Sequence, residues 1–201
     1  MEISATQRHV VLVEDDPGDA FLVSEMLHDV APDVHMTHFT TLGAALASGT
    51  EGVDCVLLDL SLPDANRLEA LTALQASHPD IPVIVLSGFA ESLLGAEAVQ
   101  HGAQDYLVKN EADGRQLWRA IRYAVERKRA ELQLSFQSLH CSLTGLPNRV
   151  LFLDRLEVAL RRLTPQSGTV AVLSPDLDGV RSGSTSVGGP AWSRGLARRE
   201  R

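Results

Sequence analysis

The sequence predicts an α/β fold, a doubly wound domain in which helices cover both faces of a parallel sheet. Short apolar runs alternate with amphipathic stretches five times within about the first 120 residues. Three of these runs are apolar almost throughout, which is typical of strands buried on both faces of a parallel sheet. Repeated strand–helix units of this kind predict parallel strands joined by right-handed crossovers.

The five apolar runs are the predicted strands, and the segments between them have the spacing of amphipathic helices. In chain order the strands are His9–Val13, Val34–Phe39, Val53–Leu58, Ile81–Leu86 and Asp105–Val108. The helices between them are Asp19–Val30, Leu42–Ser48, Leu68–Ser77 and Leu93–His101. Aromatic residues make up only 4% of the chain, so we expect an aliphatic core.

A fifth helix is predicted from Arg115 to about Leu139, because this stretch contains no Gly or Pro. It is longer than a helix that only covers the sheet. Residues at alternating four- and three-residue steps form a heptad-like seam with two polar members: Ile121, Val125, Lys128, Leu132, Ser135 and Leu139. Residues 115–140 are therefore either one long surface helix or a linker that pairs with a second copy as a dimeric coiled coil.

The remaining sequence contains fewer elements. Leu143–Arg149 (LTGLPNR) predicts a turn, an amphipathic helix follows over about Val150–Leu163, and Thr169–Leu173 can form one strand. Residues 181–201 contain five Arg and one Glu among Gly and Ser, without apolar periodicity. That composition buries too little surface to offset the entropy of ordering, so we expect this tail to be disordered.

Composition excludes several classes of function. A net charge of −8 disfavours a dedicated nucleic-acid surface, which normally needs a basic stripe. Cys55 and Cys141 lack the spacing of a disulfide framework or a zinc site. No apolar stretch approaches the ~20 residues of a membrane helix, and the N-terminus has no apolar signal region. We expect a cytoplasmic protein with no membrane partner and no specific nucleic-acid partner.

Residues with reactive side chains follow four of the predicted strands. Glu14, Asp15 and Asp16 come after the first strand, and Asp59 ends the third. Ser87 and Lys109 end the fourth and fifth strands. In a doubly wound sheet ligands bind beyond the carboxyl ends of the strands, so we expect these groups to meet in one pocket.

The predicted pocket has the chemistry of phosphoryl transfer to a carboxylate. Oxygen ligands without Cys or His favour Mg²⁺ or Mn²⁺. A lysine and a hydroxyl can contact the transferred phosphoryl group. Each feature alone has an ordinary structural explanation, such as a helix cap for an Asp or a turn for Ser-Gly. All of them in this order on these strands predict formation of an aspartyl phosphate.

The segments VVLVEDDPGDA, VLLDLSLPD, IPVIVLSG and GAQDYLVK resemble those of response-regulator receiver domains. The resemblance covers residues 7–127 and implies a flavodoxin-like sheet of order 2-1-3-4-5. It implies that Asp59 is the phosphoacceptor, assisted by Lys109 and Ser87. It further implies that Asp15 and Asp59 hold Mg²⁺, that Glu14 acts on the ion through water, and that Tyr106 is an aromatic switch. A sensor histidine kinase or phosphotransfer protein would supply the phosphoryl group.

Two positions depart from the usual receiver pattern. Arg67 stands where receivers commonly have Gly, which can alter the loop after the third strand. Asn110 stands where Pro commonly follows the lysine, which removes the usual reason for a cis peptide bond there. Neither change removes a reactive group.

Residues 141–180 resemble the start of a GGDEF diguanylate cyclase domain, through the turn LTGLPNR, a helix and the Asp-x-Asp of SPDLDGV. The resemblance implies that Asp176 is a vestigial metal ligand. The Gly-Gly-Asp/Glu-Glu-Phe turn is absent from the sequence, so we interpret this segment as a truncated, inactive fragment. Asp176 and Asp178 also mimic the first motif of haloacid-dehalogenase-type phosphatases, but only 23 residues follow Asp178.

Three hypotheses about function follow. The favoured one is a phosphorylation-controlled switch without enzymatic output, which acts through protein–protein contact at the receiver surface or a homodimer of the long helix. The alternative is a receiver-regulated diguanylate cyclase, disfavoured by the missing motif. A DNA-binding regulator is disfavoured because no helix-turn-helix follows the predicted receiver.

Overall fold

The computed structural model describes residues 8–49, 51–88, 97–109, 111–162 and 169–173. The chain divides into two compact units, Met1–Leu132 and Gln133–Arg201. The predicted tail at 181–201, Asp176 and Asn110 lie outside the described residues. No helix in the described ranges has the length and apolar character that crossing a membrane requires.

The first unit is built on a five-stranded parallel sheet, as predicted. The strands are β1 (His9–Val13), β2 (His35–Phe39), β3 (Cys55–Asp59), β4 (Val83–Ser87) and β5 (Asp105–Val108). Their order in the sheet is β2-β1-β3-β4-β5, and every neighbouring pair is parallel. The doubly wound 2-1-3-4-5 fold is therefore confirmed, and β1 and β2 differ from their predicted bounds by at most one residue.

Helices cover both faces of this sheet. They are α1 (Pro17–Val30), α2 (Leu42–Ala47), α3 (Arg67–Ser77), a helical turn at 97–100 (α4) and α5 (Gly114–Leu139). Of the helix predicted over Leu93–His101, residues 93–96 lie outside the described ranges. Arg67 is accommodated as the first residue of α3, and no described non-glycine residue has a positive φ.

The core consists of two apolar layers, one on each face of the sheet. Because successive side chains of a strand point to opposite faces, Val10 and Leu12 pack in the layer under α1 and α5. Val11 and Val13 pack in the layer under α2 and α3. All five residues of β3 and of β4 are buried, which explains why these strands are apolar almost throughout.

Helix α5 buries one stripe of side chains in the first layer: Leu117, Ala120, Ile121, Ala124 and Val125. Two positions of the predicted heptad seam, Ile121 and Val125, are therefore core residues, 0% and 2% exposed. They are not available to a partner helix, so the seam starting at Ile121 is wrong for its first two positions. Apolar residues at three- and four-residue spacing can pack on a sheet or on a partner helix. In this fold Ile121 and Val125 pack on the sheet.

The second unit contains the turn after α5 and helix α6 (Arg149–Arg161). Gly145 adopts a φ of +76° in the turn, a conformation that favours glycine. The side chain of Asn148 caps α6 by accepting hydrogen bonds from the amides of Val150 and Leu151. None of the α6 residues is buried. These contacts explain the Thr-Gly-Leu-Pro-Asn pattern as a turn followed by a helix cap.

The strand predicted at Thr169–Leu173 is not formed, although all five residues are described. Val172 is 54% exposed and Leu173 is 87% exposed. A strand needs a neighbour to satisfy its backbone groups, and the described part of the chain pairs no strand with this segment. The apolar composition alone therefore does not make it a strand.

Gly114 offers a direct test of how α5 packs on α1. A Cβ at this position would collide with the backbone carbonyl oxygen of Met26. We expect Gly114→Ala to destabilise the protein by about 2 kcal/mol, the scale of overpacking a tight contact. The matched control is Gly43→Ala, where the nearest atom to the new Cβ is Asp64 Oδ2 at 3.5 Å. Urea unfolding should show a loss for Gly114→Ala and a small gain for the control. Equal midpoints would contradict the close contact.

Candidate functional site

The reactive side chains predicted from the sequence meet at the carboxyl edge of the sheet. Glu14 follows β1 and continues the ladder, since its amide donates a hydrogen bond to the Phe39 carbonyl at 2.9 Å. Asp59 is the last residue of β3, and Ser87 is the last residue of β4. The amide of Lys109 donates to the Ser87 carbonyl at 2.9 Å, which places Lys109 beside β4.

Lys109 lies at the centre of this site. Its ammonium Nζ is 2.6 Å from Glu14 Oε2, 2.8 Å from Asp19 Oδ2 and 3.3 Å from Asp59 Oδ1. The contact with Asp19 is a hydrogen bond, and Glu14 and Asp59 form ion pairs with the same ammonium. Burial opposes the charge on Lys109, but its contacts with Asp19 and Glu14 outweigh burial and raise the pKa of Lys109.

Glu14 and Asp59 are two acids without access to solvent, 0% and 2% exposed. Burial raises the pKa of Glu14, and the neighbouring Asp59 charge adds to this, while Lys109 acts in the opposite direction. Burial likewise raises the pKa of Asp59 despite Lys109 and hydrogen bonds from the backbone. One lysine therefore does not fully compensate the two buried carboxylates, and a further positive charge would stabilise both.

An acidic cluster of three residues could hold that positive charge. One carboxylate oxygen from each of Glu14, Asp15 and Asp59 can be chosen so that all lie within 4.8 Å of one another. Asp15 is the exposed member of the cluster. Three hard oxygen donors, two of them on buried side chains, fit Mg²⁺ by donor type.

Ser87 and Tyr106 lie on the two strands beside the cluster. The Ser87 hydroxyl is fully buried and has no hydrogen-bond partner among the described residues. Tyr106 is half-buried against the apolar layer under α3. Together with Leu107, Arg119 and Tyr123 it lines a groove of about 490 Å³ between β5 and α5. The buried hydroxyl of Ser87 costs free energy of folding unless a ligand supplies a hydrogen-bond partner.

Two further acids, Asp16 and Asp19, lie near the cluster. Asp16 is the N-cap of α1, where its side chain accepts from the amides of Gly18 and Asp19; these hydrogen bonds lower the pKa of Asp16. Asp19 accepts a hydrogen bond from Lys109, a contact that was not predicted from the sequence. The available signal was its place in the first turn of α1, directly beyond the carboxyl end of β1.

Fold and site together define a doubly wound domain with an acidic, lysine-containing pocket. A family model described as the response regulator receiver domain matches residues 10–122, more than half of the 201-residue chain. The chain therefore belongs to the response regulator receiver domain family. This confirms the predicted receiver domain.

Curated relatives and solved structures agree with this assignment. The luminescence regulatory protein LuxO of Vibrio campbellii is 34% identical over 98 residues, which cover 49% of this chain and 21% of that protein. The cell cycle transcriptional regulator CtrA of Caulobacter vibrioides is 32% identical over 100 residues, covering 50% and 43%. The chain thus spans less than half of either relative.

A receiver domain protein from Clostridium thermocellum superposes with a TM-score of 0.55 at 19% identity, covering 62% of this chain and 98% of that one. The receiver domain of NtrX from Brucella abortus gives 0.53 at 24% identity, covering 58% and 98%. At these identities the likeness supports the fold alone.

Proposed function

We propose that the protein is a phosphorylation-controlled switch in which Asp59 accepts a phosphoryl group. The observation that carries this proposal is the position of Lys109, 3.3 Å from Asp59 Oδ1, at the same sheet edge as the unsatisfied Ser87 hydroxyl. A carboxylate nucleophile, a cation and a free hydroxyl are the groups that phosphoryl transfer to an aspartate needs. The expected donor is a sensor histidine kinase or a phosphotransfer protein.

The chemistry assigned to each side chain follows from its charge. An oxygen of the Asp59 carboxylate attacks phosphorus, and the bond from phosphorus to the donor's leaving atom breaks as the new O–P bond forms. The Lys109 ammonium stabilises the negative charge on the phosphoryl oxygens. The Ser87 hydroxyl donates a hydrogen bond to one of these oxygens. Burial of Asp59 excludes water from the unmodified carboxylate.

Glu14, Asp15 and Asp59 are the residues that would hold Mg²⁺. The ion supplies positive charge that offsets the repulsion between the acids and the incoming phosphoryl oxygens. Without the ion, Lys109 is the cation beside the two buried carboxylates of Glu14 and Asp59. This excess of negative charge supports Mg²⁺ as the proposed cofactor.

Loss of one ligand from this cluster should be measurable directly. We expect Asp15→Asn to weaken Mg²⁺ binding about tenfold or more, equivalent to ~1.4 kcal/mol, because a carboxylate is lost from a set of three. The control is Asp16→Asn, because asparagine caps a helix as well as aspartate and Asp16 belongs to the cap rather than to the cluster. Mg²⁺ titration by calorimetry tests both variants. Equal losses would show that only net charge matters.

The proposal is tested by incubating the protein with acetyl phosphate and Mg²⁺. Intact-mass measurement should show one added phosphoryl group per chain, and a chelator added beforehand should prevent the modification. An unmodified protein at high acetyl phosphate and saturating Mg²⁺ would refute the proposal. Modification that persists in the chelator would refute the role of the metal.

The switch and output parts of the proposal use the groove between β5 and α5. If the phosphoryl group draws the Ser87 hydroxyl toward it, the half-buried Tyr106 can turn inward and reshape this groove, whose lining includes Tyr106. The homodimer through α5 stays a prediction. Of the heptad-like seam of α5, the residues outside the core begin at Lys128, and Leu132 is 37% exposed.

The fragment at 141–180 also stays a prediction. Its turn and helix α6 are described, but the segment that contains Asp176 is not, and the family match ends at residue 122. We propose that it contributes no cyclase activity, because the sequence lacks the Gly-Gly-Asp/Glu-Glu-Phe turn.

A further inference from the structure

Asp19 is a third acid at Lys109 that the receiver chemistry above does not use. Among the described residues, three carboxylates lie within ion-pair distance of Lys109 Nζ, and Asp19 accepts a hydrogen bond from it that is 2.8 Å long. The ammonium has three N–H donors, and its nitrogen lies nearer to Asp19, at 2.8 Å, than to Asp59, at 3.3 Å. A phosphoryl group on Asp59 would compete with Asp19 for the charge of this ammonium.

The three acids differ in how easily each can release the lysine. Glu14 and Asp59 are 0% and 2% exposed, so water cannot solvate them if Lys109 leaves. The Asp19 side chain is 41% exposed, and solvent can replace the lysine there. Asp19 is therefore the partner whose loss costs least when a new anion arrives.

Helix α1 holds Asp19 in this position independently of the lysine. The Asp16 cap accepts a hydrogen bond from the Asp19 amide at 3.0 Å, which anchors the first turn at the sheet edge. A negative side chain in the first turn also interacts favourably with the helix dipole. The carboxylate thus remains beside the pocket after Lys109 has moved, and it repels a phosphoryl group there.

We propose that Asp19 is a positioning residue that holds Lys109 in the unphosphorylated protein and competes with the phosphoryl group for its ammonium. This inference rests on the proposed phosphorylation of Asp59. Asp19 therefore lowers the affinity of the site for a phosphoryl group. Removing its charge then tightens binding of a phosphoryl mimic, whereas removing a residue that only supports the fold would weaken it.

The test is titration of beryllofluoride at saturating Mg²⁺, followed by calorimetry, in Asp19→Asn and the wild type. We expect about three- to tenfold tighter binding in Asp19→Asn, the scale of one partly exposed ion pair. Asp19→Glu retains the charge and should stay near the wild type. Asp29→Asn is the matched control, because it removes an exposed acid from α1 nearly three turns away. The ratio should shrink as salt is raised.

Each outcome decides the inference. Tighter binding in Asp19→Asn alone supports it, and a similar change in Asp29→Asn would reduce it to a net-charge effect. Unchanged or weaker binding in Asp19→Asn would overturn it, provided that the wild type binds and Asp59→Asn does not. If the wild type fails to bind, or Asp59→Asn binds equally well, the proposed function fails and the role of Asp19 fails with it.

Discussion

Asp59→Asn is expected to abolish the phosphoryl adduct completely while the protein stays folded. The amide keeps the shape of the side chain but is not a nucleophile. Asp59 ends β3, the strand that pairs with β4, and Ser87 ends β4. After incubation with acetyl phosphate and Mg²⁺, intact-mass measurement should show one phosphoryl group on the wild type and none on the variant.

The matched control for this prediction is Asp54→Asn. Asp54 directly precedes β3, at the opposite end of the strand from Asp59, and it contacts the His9 amide and Arg129. We expect Asp54→Asn to be phosphorylated at the wild-type rate. An adduct on Asp59→Asn at comparable yield would show that another residue is the acceptor, and loss in both variants would indicate a general effect on folding.

The same Asp59→Asn substitution should change stability with a defined pH dependence in Mg²⁺-free buffer. Because burial raises the pKa of Asp59 in the folded state, this group favours folding below its unfolded pKa, about 3.9. That contribution is lost as pH rises through the raised folded pKa. The variant should therefore gain stability relative to the wild type as pH rises above about 4, the unfolded pKa of the aspartate. Saturating Mg²⁺ should reduce or reverse the difference, because the wild type binds the ion better.

Lys109→Met is expected to give the second large effect, on both stability and phosphorylation. The substitution leaves Glu14 and Asp59 buried without their nearby cation. Removing one partner from a buried ion pair costs about 3–5 kcal/mol, and we expect a loss near ~3 kcal/mol at pH 7 without Mg²⁺. Loss of one electrostatic stabiliser of the transferred group should slow phosphorylation about 10²- to 10³-fold.

The control is Lys128→Met, since Lys128 on α5 is the other lysine of the chain. Urea unfolding and the rate of acetyl phosphate labelling should be near wild type in this variant. Mg²⁺ should restore part of the stability of Lys109→Met, because the ion also neutralises the acids. A labelling rate for Lys109→Met within twofold of the wild type would show that Lys109 does not contact the transferred group.

Local sequence was sufficient for the sheet and for the edge at which the site lies. The buried strands β3 and β4 show as apolar runs because both of their faces are covered. Once the strands are parallel, their carboxyl ends lie at one edge, so Glu14, Asp59, Ser87 and Lys109 could be assigned to one pocket from their positions alone. Their individual roles remain predictions.

Three outcomes depended on the tertiary structure. The apolar stripe of α5 fits a coiled coil and a sheet equally well, and packing placed Ile121 and Val125 in the core. Thr169–Leu173 has the composition of a strand, yet the described chain pairs no strand with it. The hydrogen bond from Lys109 to Asp19 joins residues 90 positions apart. The spacing of apolar residues in the sequence shows which side of a helix or strand is apolar. Which residue or element that side contacts depends on distances between parts of the chain that only the folded structure brings together.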